Sequence, residues 1–136
     1  MSSPFTAVNP PELGRPRGFA HGMMAPSGGH LLFVAGQTAT DESGRIAATG
    51  LTAQFDRSLE RVLAVVRAAG GRSEHIARMT VFVTSMENYR DSRAALREVW
   101  QHHMGSHYPA MALVEVVRLV EPDALVEIEA TAVVPN

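Results

Sequence analysis

Tyr108-Pro109-Ala110-Met111-Ala112-Leu113-Val114-Glu115-Val116-Val117-Arg118-Leu119 and, further on, Leu125-Val126-Glu127-Ile128-Glu129-Ala130-Thr131-Ala132-Val133-Val134 decide how this chain is read. Both are apolar runs rich in β-branched residues and interrupted by carboxylates, and Glu121-Pro122-Asp123 between them is a good turn sequence. They read as two strands paired with each other. An unpaired carboxylate inside an apolar strand costs several kcal/mol to bury, roughly the net stability of a small domain. The acids therefore either face water or line a pocket.

Working back towards the N-terminus, the period of the apolar residues changes. Ser85 is a candidate N-cap for a helix from about Met86 to about His103, packed through Tyr89, Leu96, Val99 and Trp100, and broken by Gly105 to Pro109. Ile76 to Thr84, with Thr80-Val81-Phe82-Val83 at its centre, is a strand. Before it, Leu51, Phe55, Leu59, Val62, Leu63 and Val66 recur at helical spacing, with Asp56, Arg57, Glu60, Arg61 and Arg67 on the other face, and Gly70-Gly71 closes that helix. His30 to Gln37 reads as a buried strand after the turn Pro26-Ser27-Gly28-Gly29, and Gly18 to Met24 as a short one. Residues 1–17 hold Pro10-Pro11 and Arg15-Pro16-Arg17, which favour turns and extended backbone.

The resulting order, β-β-α-β-α-β-β, predicts an α+β fold: a mixed sheet with a hairpin at one end and both helices on one face. The uncovered sheet face then needs a partner, which predicts an oligomer. At 136 residues the chain is expected to form a single domain, 1–136. With a formal charge of −2 and no basic block, no nucleic-acid partner is expected. No apolar run reaches the length of a membrane span, and Met1-Ser2-Ser3-Pro4-Phe5 lacks the charged and apolar regions of a secretory signal, so no membrane partner and a cytoplasmic location are expected. The chain has neither cysteine nor lysine. Thiolate nucleophiles, cysteine-based metal sites and lysine Schiff bases are thereby excluded, which leaves carboxylates, His, Tyr, hydroxyls, Arg and backbone amides for any chemistry.

The order of elements, Val34-Ala35-Gly36-Gln37, Ala68-Ala69-Gly70-Gly71, Met79-Thr80-Val81-Phe82-Val83, Pro109-Ala110, Val114-Glu115-Val116, Arg118-Leu119 and Glu127-Ile128-Glu129-Ala130 together resemble the Rid (YjgF-type) superfamily, also described as L-PSP endoribonucleases. The resemblance runs from about Asn9 to Val134. It implies a chorismate-mutase-like fold, a homotrimer whose sheets line a central barrel, and three pockets at subunit interfaces. It further implies hydrolysis of small enamines or imines with no cofactor and no metal. In the deaminase subgroup an Arg follows Pro-Ala and clamps the substrate carboxylate, a task that suits a guanidinium fork. Here that position is Met111.

By the same comparison, Phe19 keeps the ring of a usual Tyr without its hydroxyl, Arg93 stands where the second helix usually carries Asn, and Gly36 and Glu127 are retained as the backbone contributor and the water-orienting acid. The resemblance thus implies a divergent member, with activity on 2-aminoacrylate weak or absent. Glu127 would activate water, Phe19 and Met111 would form an apolar wall, and Arg93 and His21 would set the charge preference.

Each assignment competes with a plainer one. Glu129, sharing a strand face with Glu127, reads as part of a solvated stripe. Arg93 pairs with Asp91 or Glu98 on the helix surface, or else replaces the missing clamp from another wall. Met111 packs at a subunit contact, or makes the pocket apolar and adaptable. His21 lies on the same side of a strand as Phe19, and is either a titratable pocket group or a surface residue. His103 and His107 are four apart, a metal-ligand spacing, but Gly105 and Pro109 place the helix end between them. Tyr108 reads as core or interface packing. Three functions remain open: an enamine or imine hydrolase, a non-catalytic small-molecule-binding trimer, and, against the charge balance, a ribonuclease.

Overall fold

The computed structural model describes residues 3–136; Met1 and Ser2 of the expected turn-rich segment lie outside the described residues. Its strands are β1 (Thr6–Val8), β2 (Gly22–Met24), β3 (His30–Gln37), β4 (Ile76–Val83), β5 (Ala110–Glu115) and β6 (Val126–Val134). Its α-helices are α1 (Leu51–Ala68), α2 (Met86–Asp91) and α3 (Arg93–Met104). β3, β6, β4 and β5 form a mixed four-stranded sheet in that order, and β1 pairs antiparallel with β2 in a separate ribbon.

Alternation along β6 fixes which side is core. Val126, Ile128, Ala130, Ala132 and Val134 are buried, and Glu127, Glu129, Thr131 and Val133 alternate onto the opposite face. The buried set packs with Leu59, Val62, Leu63 and Val66 of α1 and with Leu96, Trp100 and Met104 of α3, so the helices cover one face only, as expected. Gly70 and Gly71 end α1 as its sequence predicts. The Gly71 N–H donates to the Val66 carbonyl and the Gly70 N–H to that of Arg67, with Gly70 at φ 87°, the left-handed conformation a glycine adopts without strain.

The expected pairing of the two acid-bearing strands is corrected by the structure: β5 and β6 do not touch as a pair, because β4 lies between them. β5 runs parallel to β4, from Arg78↔Ala110 to Val83↔Glu115, and β6 runs antiparallel to β4 on its other side. The physical reason is the connection. A helical crossover through α2 and α3 delivers β5 parallel to β4, whereas residues 116–125 form a connection longer than a tight hairpin, able to step across the end of β4. The strand accordingly stops at Glu115, not Leu119, leaving Val117 and Val120 about 95% exposed. Buried Gln54 of α1 holds the far end of this crossing, donating to the Asp123 carbonyl oxygen at 3.0 Å and accepting from the Leu125 N–H at 2.8 Å.

Three further differences are local. The second helix is interrupted at Ser92, although the Ser85 hydroxyl caps it as expected by accepting the Asn88 N–H at 3.1 Å. The expected strand from Gly18 shortens to Gly22–Met24, preceded by an isolated bridge between Ala20 and Ala110. Inside the turn-rich N-terminal region, Thr6–Val8 forms β1. On the uncovered face of the sheet Phe33 is 74% and Leu31 65% exposed.

Candidate functional site

The bulge in β3 positions the first part of the site. Pairing with β6 shifts register between Val34 and Gln37, which places Gly36 in the irregular stretch. Gln37 braces it: its Nε2 donates to the Ala35 carbonyl at 3.2 Å, and its Oε1 accepts from Arg61 Nε at 3.1 Å. Arg61 also donates to the Thr40 carbonyl, tying the bulge to α1. Against this braced backbone lies the Glu127 carboxylate. A Cβ at position 36 would stand 2.8 Å from Glu127 Cδ and 3.0 Å from Oε2, inside van der Waals contact. Only glycine leaves the carboxylate where it is.

Met111 and Arg93 lie at the opposite edge of the sheet. Met111, paired with Met79, points to the helix side of β5 and lines a cavity of about 350 Å³ between β5, α2 and α3. Arg93, Arg97, Tyr89, Trp100 and Tyr108 contribute walls, and Arg17 and Gly18 close it from the segment before β2. That segment is fastened to β5 by the Ala20 N–H donating to the Pro109 carbonyl at 3.1 Å. Trp100 and Tyr108 stack at 5.6 Å with 7° between their planes, and the indole N–H is satisfied by the His107 carbonyl. Arg93 makes no ion pair with Asp91 or Glu98; its Nε donates to the Arg90 carbonyl at 3.2 Å.

Phe19 and His21, which follow Gly18 in the chain, do not line this cavity. Their rings meet edge to face at 5.2 Å, and His21 is engaged at both its backbone and its ring: its N–H donates to Asn9 Oδ1, and Nε2 donates to the Gly14 carbonyl at 3.1 Å. Within one chain the structure therefore brings Glu127 and Gly36 together, and separately Met111 and Arg93. It does not bring the two pairs to one place.

The remaining strand acids separate by role. Glu115 points to the helix side, where its Oε1 accepts the Met86 N–H at 2.8 Å at the start of α2. Glu129 is exposed on the open face. The helix ends at Met104, between the paired histidines, and they part: His103 meets Asp56 and Glu60, while His107 Nε2 donates to the Ile76 carbonyl. Among the described residues no three His, Asp or Glu side chains group as metal ligands. A larger open groove, about 600 Å³, adjoins these histidines, but His103, His107 and Glu74 along it already bond within the fold. The braced carboxylate and the Met111 cavity are the better chemical candidates.

Arg17 and Arg97 were not singled out by sequence as cavity residues. Arg17 reads there as part of a turn, and only the Ala20 to Pro109 bond carries its segment to the cavity. Arg97 stands one turn after Arg93, and that spacing was its only signal.

Comparison with known proteins gives the chain's family and fold. The family model described as Endoribonuclease L-PSP matches residues 17–134. The chain is 35% identical over 105 residues to the 2-iminobutanoate/2-iminopropanoate deaminase of Salmonella typhimurium, covering 77% of this chain and 80% of that one. Its fold is similar to the Yersinia pestis Rid-family protein YyfB, of unknown function (TM-score 0.84, 27% identity, 96% and 99% coverage). It is also similar to Escherichia coli TdcF with bound serine (TM-score 0.67, 29% identity, 98% and 95% coverage). No helix among the described residues is long and apolar enough to cross a membrane. The family model over residues 17–134, the similar sequences and the shared fold together establish that the chain belongs to the Rid (YjgF, L-PSP) family.

Proposed function

We propose that this protein is a homotrimer that binds and hydrolyses small imines, and enamines through their imine tautomers, at pockets between subunits. Supporting the reading is the placement of the two halves. Glu127 and Gly36 sit on the open face over β6 and β3, Met111 and Arg93 at the β5 edge, and a second copy whose β5 edge packs against that open face would complete a site neither half makes alone. The exposed Leu31 and Phe33 supply apolar surface for that association.

The chemistry needs a water, a base and a positioned carbonyl-like carbon. Glu127 takes a proton from water as the oxygen adds to the C=N carbon and passes it to the nitrogen, giving a neutral carbinolamine. It then takes the carbinolamine hydroxyl proton and gives it to the amine as the C–N bond breaks, releasing ammonia and the ketone with Glu127 again ionised. The reaction as written uses no group beyond these. The Gly36 backbone in the bulge would offer hydrogen bonds to substrate, and Met111 makes the opposite wall apolar. The relatives' action on 2-iminobutanoate and 2-iminopropanoate supports the reaction class. Without the Pro-Ala-Arg guanidinium, activity on the smallest imino acids and on 2-aminoacrylate is weak.

Glu127→Gln tests the assignment: it keeps the shape and removes the base. Ammonia release from an imine generated in situ should fall by about 100-fold or more, the usual contribution of general acid–base catalysis. Unchanged turnover would remove the water-activating role. Met111, in place of the carboxylate-clamping Arg, favours one second reading: a trimer that binds such metabolites without turning them over, in which Glu127→Gln alters affinity only. Ribonuclease activity is disfavoured because net charge is −2 and the grouped arginines lie around a small concavity.

A further inference from the structure

The Met111 cavity joins two features that ask for different parts of one ligand. Its lining includes three arginines, Arg17, Arg93 and Arg97, and no acidic residue. Among the described residues none of the three is in an ion pair. The Arg93 Nε bond to the Arg90 carbonyl steadies that fork while its terminal nitrogens stay free to donate. The other part is apolar: Met111 and Leu113 on the strand side, and the stacked Trp100 and Tyr108 rings at the end of α3. At about 350 Å³ the space suits a small organic ligand.

Three like charges gathered at one concavity repel one another, and a single carboxylate would leave two of them unanswered. A ligand with two anionic groups answers more of that field, and an aromatic or branched aliphatic body fills the apolar side. We propose that this cavity selects dianionic small molecules with an apolar or aromatic body, Arg17, Arg93 and Arg97 setting the charge preference in place of the cation missing at position 111. The inference rests on reading this cavity as the substrate-side half of the proposed site. It narrows the substrate class to imines carrying a second acidic group and a bulky apolar side chain.

Three stable compounds separate the contributions: phenylsuccinate (two charges and a ring), 3-phenylpropanoate (one charge and a ring) and succinate (two charges, no ring). Titration calorimetry of the intact protein at low salt should rank phenylsuccinate at least about tenfold tighter than either of the others, the scale of one added charge-assisted hydrogen bond. Its affinity should weaken as salt is raised. Arg97→Gln should erase most of the preference for phenylsuccinate over 3-phenylpropanoate. Arg67→Gln, which removes the same charge from the outer face of α1, should leave it intact. Equal affinity for phenylsuccinate and 3-phenylpropanoate, no measurable binding of any of the three, or equal effects of the two arginine variants would each overturn the proposal. Ammonia release is read separately. Imine hydrolysis without a dianion preference sinks this inference and leaves the reaction, whereas a dianion preference without hydrolysis sinks the reaction and leaves the pocket.

Discussion

Gly36→Ala is the most informative single methyl group that can be added to this protein. The backbone at Gly36 has no positive φ, so alanine fits its conformation, and the three nearest atoms its Cβ would meet all belong to the Glu127 side chain. The new Cβ would lie 2.8 Å from Glu127 Cδ where ordinary contact begins at 3.4 Å, so the carboxyl must withdraw by at least about 0.6 Å (3.4 − 2.8). Because it is the end of a flexible side chain, it can do so by rotation, and the fold should lose less than about 1 kcal/mol. Catalysis should be far less tolerant, since a displacement approaching 1 Å in a reacting group costs up to about 100-fold. The assay is ammonia release from a 2-imino acid formed in situ by an amino-acid oxidase, with thermal unfolding run in parallel. A 10- to 100-fold loss of kcat/KM with Tm nearly unchanged is expected on that basis. Wild-type turnover with a displaced Glu127 carboxylate, seen crystallographically, would refute the claim that its position matters.

Other consequences follow from the same contacts. Met111→Arg restores a guanidinium after Pro-Ala and should improve kcat/KM for 2-iminopropanoate by about tenfold or more, the worth of a charge-assisted bond; no gain in steady-state kinetics would mean that the missing cation is not what sets this protein apart. Ser58 is fully buried on α1 and its hydroxyl has no hydrogen-bond partner among the described residues, so Ser58→Ala should stabilise the fold by about 1 kcal/mol in urea denaturation; a loss would reveal a partner for the hydroxyl. Burial foremost, then the charge of Arg72, holds the His75 imidazole below its ordinary pKa of 6.5, and its Nδ1 accepts the Arg72 N–H at 2.8 Å. Between the folded pKa and 6.5 the unfolded chain binds more protons, so stability should be full above pH 6.5 and fall as pH drops through the folded pKa; His75→Asn should flatten that slope, and an unchanged slope would assign it to other groups.

What the sequence revealed and what it hid divide along the range of the interactions. Helix α1 was legible from the spacing of Leu51, Phe55, Leu59, Val62 and Val66 and from its closing glycines, because amphipathic period and C-terminal capping are local. The buried alternation of β6 was legible for the same reason. The partners of β5 and β6 were not: Glu121-Pro122-Asp123 is a genuine turn signal, yet the chain uses it within a longer crossing, and parallel pairing of β4 with β5 is set by packing of α2 and α3. β1 is three residues long and stands only by pairing with β2, too short for periodicity to register. Around the site, Gly36 and Glu127 follow from the family resemblance, while their direct contact is made between β3 and β6, strands far apart in the sequence. The Arg17, Arg93 and Arg97 group depends on a bond between Ala20 and Pro109, distant in the sequence.

Glu127 and Met111 lie on strands separated by β4, and the claim that two copies complete each site is best tested by mixing two disabled variants. Glu127→Gln removes the base from one half, and Met111→Glu sets a repelling charge in the other. Each alone should be nearly inactive. In oligomers assembled at random from equal amounts of both, with mixing verified by native mass spectrometry, about a quarter of the interfaces combine two intact halves, and about a quarter of wild-type imine hydrolysis should return. Activity no higher than the sum of the two residual activities, in oligomers shown to be mixed, would place the whole site within one chain and contradict the account.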